Sequence, residues 1–590
     1  MRANFIGTNR TGTAAIPNAY QGIEIFGGAQ NNTVGGTTAG ARNIISGNTF
    51  EGVSLLEAGT NGNLIQGNYI GLNAPGTAAL PNNAAGVTIV GGAQNNTIGS
   101  GTSAGGRNVI SGNMYQGIVT TDSGTSSNKV QGNIIGLNAA GTAAIGNQFE
   151  GIAIFGTASS NTIGGTTADS PNIISGNVGS GISISGTGTT LNKVQHNLIG
   201  TNLTGTAAFP NNVGIGIFGG ATSNTIGGST ASTGNVISGN NFQGVTISGT
   251  GTKSNTVAGN FIGTNNAGTA ALPNTAAGIS IFLGAQSNII GGATAASRNV
   301  ISGNLNQGIT LSDSGTKLNQ ILSNYIGLNA AGNVAVSNSW SGVDIFTGAA
   351  SNVVGDVAKG NTISGNGNYG ISLSGSGTSM NSVKGNLIGL NAAATGGIPN
   401  MFSGVILFGG AKSNTIGNSL SGAGNMIAFN TFSGIDVFDS TTTGNDFNAN
   451  SIFSNGTLGI NLVGGSENGF GVTANDSGDA DNGPNKLQNY PVLTLANSAA
   501  VIQGSLNSVA NKPYRIDFFS SPAADPSGFG EGQTWIGSVN VTTDATGNTT
   551  FNQDFPGSLT VGSGVTVTAT GTGTGGSGTS EFSAKITVVP

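Results

Sequence analysis

The chain has 590 residues, 106 of them Gly, with 36% apolar and only 6% charged residues. That balance excludes a disordered chain, which needs few apolar residues and many charges, and the glycines lack the every-third-residue period of collagen. A net charge of −6, 16 scattered Lys and Arg and no cysteine exclude a nucleic-acid-binding stripe, a basic membrane-facing surface, disulfides and thiolate metal sites.

Met1-Arg2-Ala3 runs straight into repeat sequence at Asn4 with no apolar h-region, so the sequence is expected to lack a secretion signal and to be truncated at its N-terminus. No apolar run reaches the length of a membrane span, so membrane insertion is not expected. From Gly22 to Gly459 the motif Gly-[Ile/Val]-x-[apolar] recurs fifteen times, with Thr120 the exception at the last place. Its spacing alternates near 30 and 34 residues, which makes a two-turn unit of about 64. Each turn carries three strand signals: Gly-Ile-x-Ile as at Ile23 and Ile25, Asn-x-Val as at Asn32 to Val34, and Asn-x-Ile as at Asn43 to Ile45. They are too short, too β-branched and too Gly-punctuated for helices. Three strands per turn predict a parallel β-helix of about 15 turns over residues 1–462.

The second-strand Asn recurs from Asn32 and Asn63 to Asn445, in every turn but the last. Stacking at about 4.8 Å would let each amide donate to the next, which satisfies an otherwise costly buried group. Alternate turns carry a loop of the form GTAALPN, Gly76 to Asn82, whose apolar residue (Ile16, Ile145, Phe209, Val336) is expected to pack on the wall or the neighbouring loop. Two aromatic rows emerge. Tyr20, Phe50, Tyr115, Phe149, Phe242, Trp340, Phe402 and Phe432 stand two residues before the motif Gly, and Phe26, Phe155, Phe218, Phe282, Phe346 and Phe408 stand four after it. Such rows cover turns or offer a platform for sugar rings. Tyr20, Tyr115 and Trp340 are the candidate glycan-binding residues. The outward row Ser54, Thr88, Ser183, Thr246, Ser280, Thr310 and Ser372 is too broken for an ice-binding array.

No catalytic constellation is evident. Glu57, Asp122, Asp313 and Asp439 share one turn position, but Glu57 and Asp122 are two turns, roughly 9–10 Å, apart, and no basic residue is spaced to join them. His196 is the one histidine and sits in a slot held by Gly67, Gly132 and Gly385 in equivalent turns. Residues 463–487 read as an acidic, Gly-rich linker in which Asp476, Asp479 and Asp481 are candidate ligands for calcium; no other cofactor is expected. Residues 488–590 hold seven strand-like runs, the last from Glu581 to Val589, and predict an Ig-like sandwich that covers the open end of the helix.

The strings NNTIGSGTSAGGRNVISGN from Asn95 and NYIGLNAPGTAALPN from Asn68 resemble the right-handed parallel β-helix repeats of large bacterial extracellular proteins, which share their architecture with pectate lyases. NKLQNYPVL, DPSGFGEGQTWIGS and TSEFSAKITV are similar to the Ig-like modules that follow such helices. Where that family often carries a pair of cysteines, this chain has Ala524 and Lys585, so the staple is absent. The resemblance and the missing reactive cluster together imply a non-enzymatic, extracellular or cell-surface structural or adhesive solenoid, able to associate end to end into filaments. The alternative is a carbohydrate-binding or polysaccharide-degrading β-helix.

Overall fold

The computed structural model describes residues 1–523, 525–573 and 575–590; Ala524 lies outside them. The chain is an all-β parallel β-solenoid of about 14 turns followed by a small antiparallel domain. It divides into two compact units, Met1–Ile309 and Thr310–Pro590.

In the first unit every turn contributes one short strand to each of three parallel sheets. The strand-one sheet pairs, among others, Ile182–Ser185 with Ile215–Phe218, and that with Val245–Ser248. Alternation decides what lies inside: Ile182, Ile184, Ile215, Ile217, Val245 and Ile247 are fully buried. Third strands of two residues, such as Val109–Ile110 and Ile134–Ile135, stack Ile upon Ile, so that Ile45, Ile70, Ile110 and Ile135 are each shielded by the next. Each fully buried aliphatic side chain contributes about 1.5–3 kcal/mol, and neighbouring turns supply the shielding.

The predicted Asn ladder is present, and it is one of three in each unit among the described residues. In the first unit the Nδ2 of Asn32 donates to Asn63 Oδ1 at 3.0 Å, Asn63 to Asn96 at 3.0 Å, and the series runs on to Asn288. A second ladder climbs from Asn43 through Asn68 and Asn108 to Asn299, and a third from Asn18 through Asn48 and Asn82 to Asn304. In the second unit the same three positions form Asn319 to Asn445, Asn324 to Asn450 and Asn338 to Asn455. The outer loops also stack. The amide of Ala74 donates to Gly12 O at 2.8 Å and that of Ala139 to Gly76 O at 2.9 Å, so each loop rests on the loop two turns away. Ile145 and Phe209 are half-buried against this ridge, and Ile16 is exposed.

The second unit ends the solenoid. The fifteenth motif, Gly459, is followed by one solenoid strand, Ile460–Leu462, and the chain then leaves the repeat. The small domain has a three-stranded sheet (Val492–Ala496, Val501–Asn507, Asn548–Asp554) and a second sheet built on Pro513–Ser521, Thr534–Thr542 and Gly564–Gly571. Ile502, Leu506, Ile516, Phe518, Phe551 and Val567 form its core.

The strand expected over Glu581–Val589 is a difference: within it only Ile586–Thr587 forms a strand, with Gly578–Thr579 pairing just before it. The intervening side chains are used on the last turn of the solenoid instead. Glu581 Oε1 accepts the amide of Leu462 at 2.9 Å and its Oε2 that of Thr473 at 2.9 Å, while Phe582 lies over Gly459. Glu531 Oε1 accepts both the amide and the Nδ2 of Asn455, continuing one Asn ladder with a carboxyl group, and Asn485 Oδ1 accepts the amide of Asn445, continuing another. Arg515 forks onto Asp446 at 3.0 and 2.6 Å and also holds the buried Asp517. The open strand edge is thus closed by matched acceptors.

Candidate functional site

The outer face of the strand-one sheet is the most differentiated surface. In the first unit Gly216 and Phe218 point outward while Ile215 and Ile217 fill the interior. Ser185 pairs with Phe218, Phe218 with Ser248, and Ser248 with Phe282, so a ring appears on every second turn with a serine between. A Cβ placed on Gly216 would stand 3.4 Å from the Phe218 ring, which shows the ring leaning over the floor beside it. The floor is Ala153, Ser183, Gly216, Thr246 and Ser280, small groups that the rings partly cover: all but the half-buried Thr246 are buried, while Phe218 is exposed and Phe282 half-buried. In the second unit Phe346, Ser374 and Phe408 repeat the pattern.

The other row stands at the turn before strand one. Tyr20, Tyr115 and Trp340 are 73%, 50% and 53% exposed. Tyr20 stacks on Phe50 and Tyr115 on Phe149, with centroids 6.3 and 5.3 Å apart. In the second unit Phe402 stacks on Phe432 at 5.4 Å and meets Tyr369 at a tilt, with centroids 5.5 Å apart. These turn residues reach the strand face: Ser403, one residue before its Gly, donates its hydroxyl to Asp436 on the strand of the following turn. The structure therefore keeps the three predicted aromatic residues exposed, on separate turns, and adds Tyr369 and the buried Asp436. The signal for Asp436 was readable as a second Gly-x-Asp, after Gly342-Val343-Asp344. Burial raises the Asp436 carboxyl above its ordinary range, against the bonds it accepts from Ser403, Ser433 and Asn461. Burial and the charges of Asp436 and Asp344 raise the Tyr369 phenol.

The remaining acidic row is built into turns. Glu57, Asp122, Asp313 and Asp439 all have left-handed backbone, at φ between 59° and 76°. Glu57 Oε2 accepts the Gly27 amide at 3.2 Å and Asp439 Oδ2 the Gly409 amide at 2.6 Å, each tying down the neighbouring turn. His196 has φ 54° where Gly67 and Gly132 have 69° and 67°, and burial lowers its pKa.

Asp476, Asp479 and Asp481 do converge: one carboxylate oxygen from each lies within 4.8 Å of the others. Asp479 accepts the Asn489 amide at 2.7 Å and the Ser508 hydroxyl at 2.8 Å. Burial and the charges of Asp481 and Asp476 push its pKa up to about 6. Three hard oxygens at this spacing fit a calcium ion chemically.

No family model and no curated protein matches the chain. Among the solved structures that resemble it are two phage tailspikes. One is the full-length tailspike protein 2 of a bacteriophage of Escherichia coli O157:H7, at 14% identity and a TM-score of 0.23, covering 77% of this chain and 61% of that one. The other is the enzymatically active domain of tailspike protein 2 of bacteriophage CBA120, at 13% identity and a TM-score of 0.24, covering 89% and 69%. This chain thus spans less than two thirds of the full-length tailspike. The expectation of a non-enzymatic structural or adhesive solenoid is corrected by the second neighbour, which is an enzymatically active domain.

No helix among the described residues is long and apolar enough to cross a membrane.

Proposed function

We propose that the chain is a carbohydrate-binding or carbohydrate-degrading β-helix protein working outside the cell, with glycan held on the outer face of the strand-one sheet. The observation that carries this reading is the pair of aromatic rows, exposed or half-buried, with the half-buried hydroxyls of Ser185, Thr246 and Ser248 between the rings. Sugar rings present apolar C–H faces to aromatic rings and hydroxyls to polar neighbours, and this face offers both. Its kinship with pectate-lyase-like helices belongs to the same proposal, supported by three strands per turn. The Ig-like reading of residues 488–590 does too, supported by the two antiparallel sheets around one core. Calcium at Asp476, Asp479 and Asp481 is proposed as a structural ion of the loop before that domain.

The test is a glycan array with the full chain, followed by affinity electrophoresis in the polysaccharides that score and an assay for new chain ends on each. Tyr115→Ala, Trp340→Ala and Phe402→Ala should each weaken retention without changing the melting temperature. Retention on no polysaccharide, or equal retention of all three variants, would overturn the reading.

A further inference from the structure

The turn row is irregular throughout; the strand row, broken by Leu56, Val90 and Thr121, is regular from Phe155 to Phe408. From Ser185 to Phe282 the outward position alternates Ser, Phe, Ser, Phe in strict register. Two strand spacings separate Phe218 from Phe282, roughly 9–10 Å, about the advance of two six-membered sugar rings in an extended chain. The alternation has a cause in the repeat itself: the building unit is two turns, so any side chain distinctive of one turn recurs at that interval. Over the turns headed by Gly181, Gly214, Gly244 and Gly278, the four residues after each Gly and the two before it include no charged side chain. An anionic glycan would find no Arg or Lys to pair with on this stretch, and recognition of carboxylate or sulfate depends on such partners. A side branch would have to cross either the Phe218 and Phe282 row or the turn row at Phe242, which is 52% exposed.

We infer that this stretch of the face binds a linear, uncharged polysaccharide lying along the stacking direction of the turns, with every second sugar seated on a Phe ring. The inference rests on the carbohydrate reading above and narrows it to a substrate class and a binding register.

The experiment titrates the full chain with linear uncharged cello-, chito- and manno-oligosaccharides of two to eight sugars, alongside branched and carboxylated polysaccharides. Affinity for the matching series should climb in steps, roughly three- to tenfold for each two sugars added, the range of one more stacked ring pair. Phe218→Ser should remove one step, and Ser248→Phe, which puts a ring on the intervening turn, should blur the steps into a smooth rise. Both side chains point outward, so unchanged melting temperatures verify the fold. A smooth gain with every single sugar, or equal affinity for branched or carboxylated chains, would overturn the two-sugar register while leaving carbohydrate binding standing. Absence of binding to any carbohydrate in the panel would overturn both.

Discussion

Glu581 offers a sharp test of how the solenoid is closed. Glu581 is 2% exposed, its carboxyl accepts the amides of Leu462 and Thr473, and burial pushes its pKa from 4.5 up to about 8. Because the folded state keeps this proton where the unfolded chain has lost it, stability is fully present below pH about 4.5 and is lost as pH rises toward about 8. At about 1.4 kcal/mol per pH unit, the loss from this one group comes to ~5 kcal/mol across that window. Glu531, pushed up to about 7 by the same burial, adds ~3 kcal/mol lost over a slightly lower range. Urea unfolding of the full chain, followed by Trp535 fluorescence in a Trp340→Phe background, reads the domain that carries both groups. The midpoint should fall steadily between pH about 4.5 and about 8 and flatten beyond. Glu581→Gln, which keeps an acceptor oxygen and cannot ionise, should remove the largest single share of the slope. A midpoint that is flat or rises over this range would refute the claim that these carboxyls are held in the neutral form by burial.

Arg515→Ala should cost about 3–5 kcal/mol in the same unfolding assay, because it strands the buried Asp517 carboxylate and releases Asp446; an effect below about 1 kcal/mol would show that solvent reaches that site. Asn133→Ala removes the acceptor for Asn108 and the donor to Asn172, and about 1–3 kcal/mol of destabilisation is expected from urea midpoints, with a flat result arguing that water replaces the ladder bonds. Calcium titrated calorimetrically should bind more weakly below pH about 6 than above it, since the ion competes with the Asp479 proton. No heat on either side of that pH, or identical heat from Asp479→Asn, would remove the site.

The solenoid was legible because its signals repeat: a Gly motif, an alternating pair of β-branched residues and an Asn at a constant offset read the same way in every turn. The first ladder was recognised at Asn32 and Asn63. The ladders through Asn43 and Asn48 were not, because Asn43 served as a strand marker and Asn48 lies in a turn, where Asn has a reason of its own to occur. The ends of the chain were harder. Glu531 and Glu581 occur once each and carry no period, so nothing in the sequence tied them to amides up to 119 residues away. At the candidate site the exposed rings were predicted individually, whereas their partition between a turn row and a strand row leaning over one floor depends on side-chain direction. The acidic turn row shows the opposite case, where a shared position was visible but its left-handed backbone, which explains why Gly186, Gly249 and Gly375 stand there in equivalent turns, was not.

The stacking of loops two turns apart sets the grain of the molecule. Gly12 meets Ala74 and Gly76 meets Ala139 only because the intervening turn carries no such loop. Lineages of this chain can therefore grow or shrink in whole pairs of turns at little structural risk, each insertion finding a matching ridge, a continued amide column and an untouched terminus. Removing a single turn would seat unlike loops on one another and shift every ring on the strand face by one place. Length variants separated by about 64 residues are the ones such a scaffold can tolerate, and a gene for it would be expected to recombine at that interval.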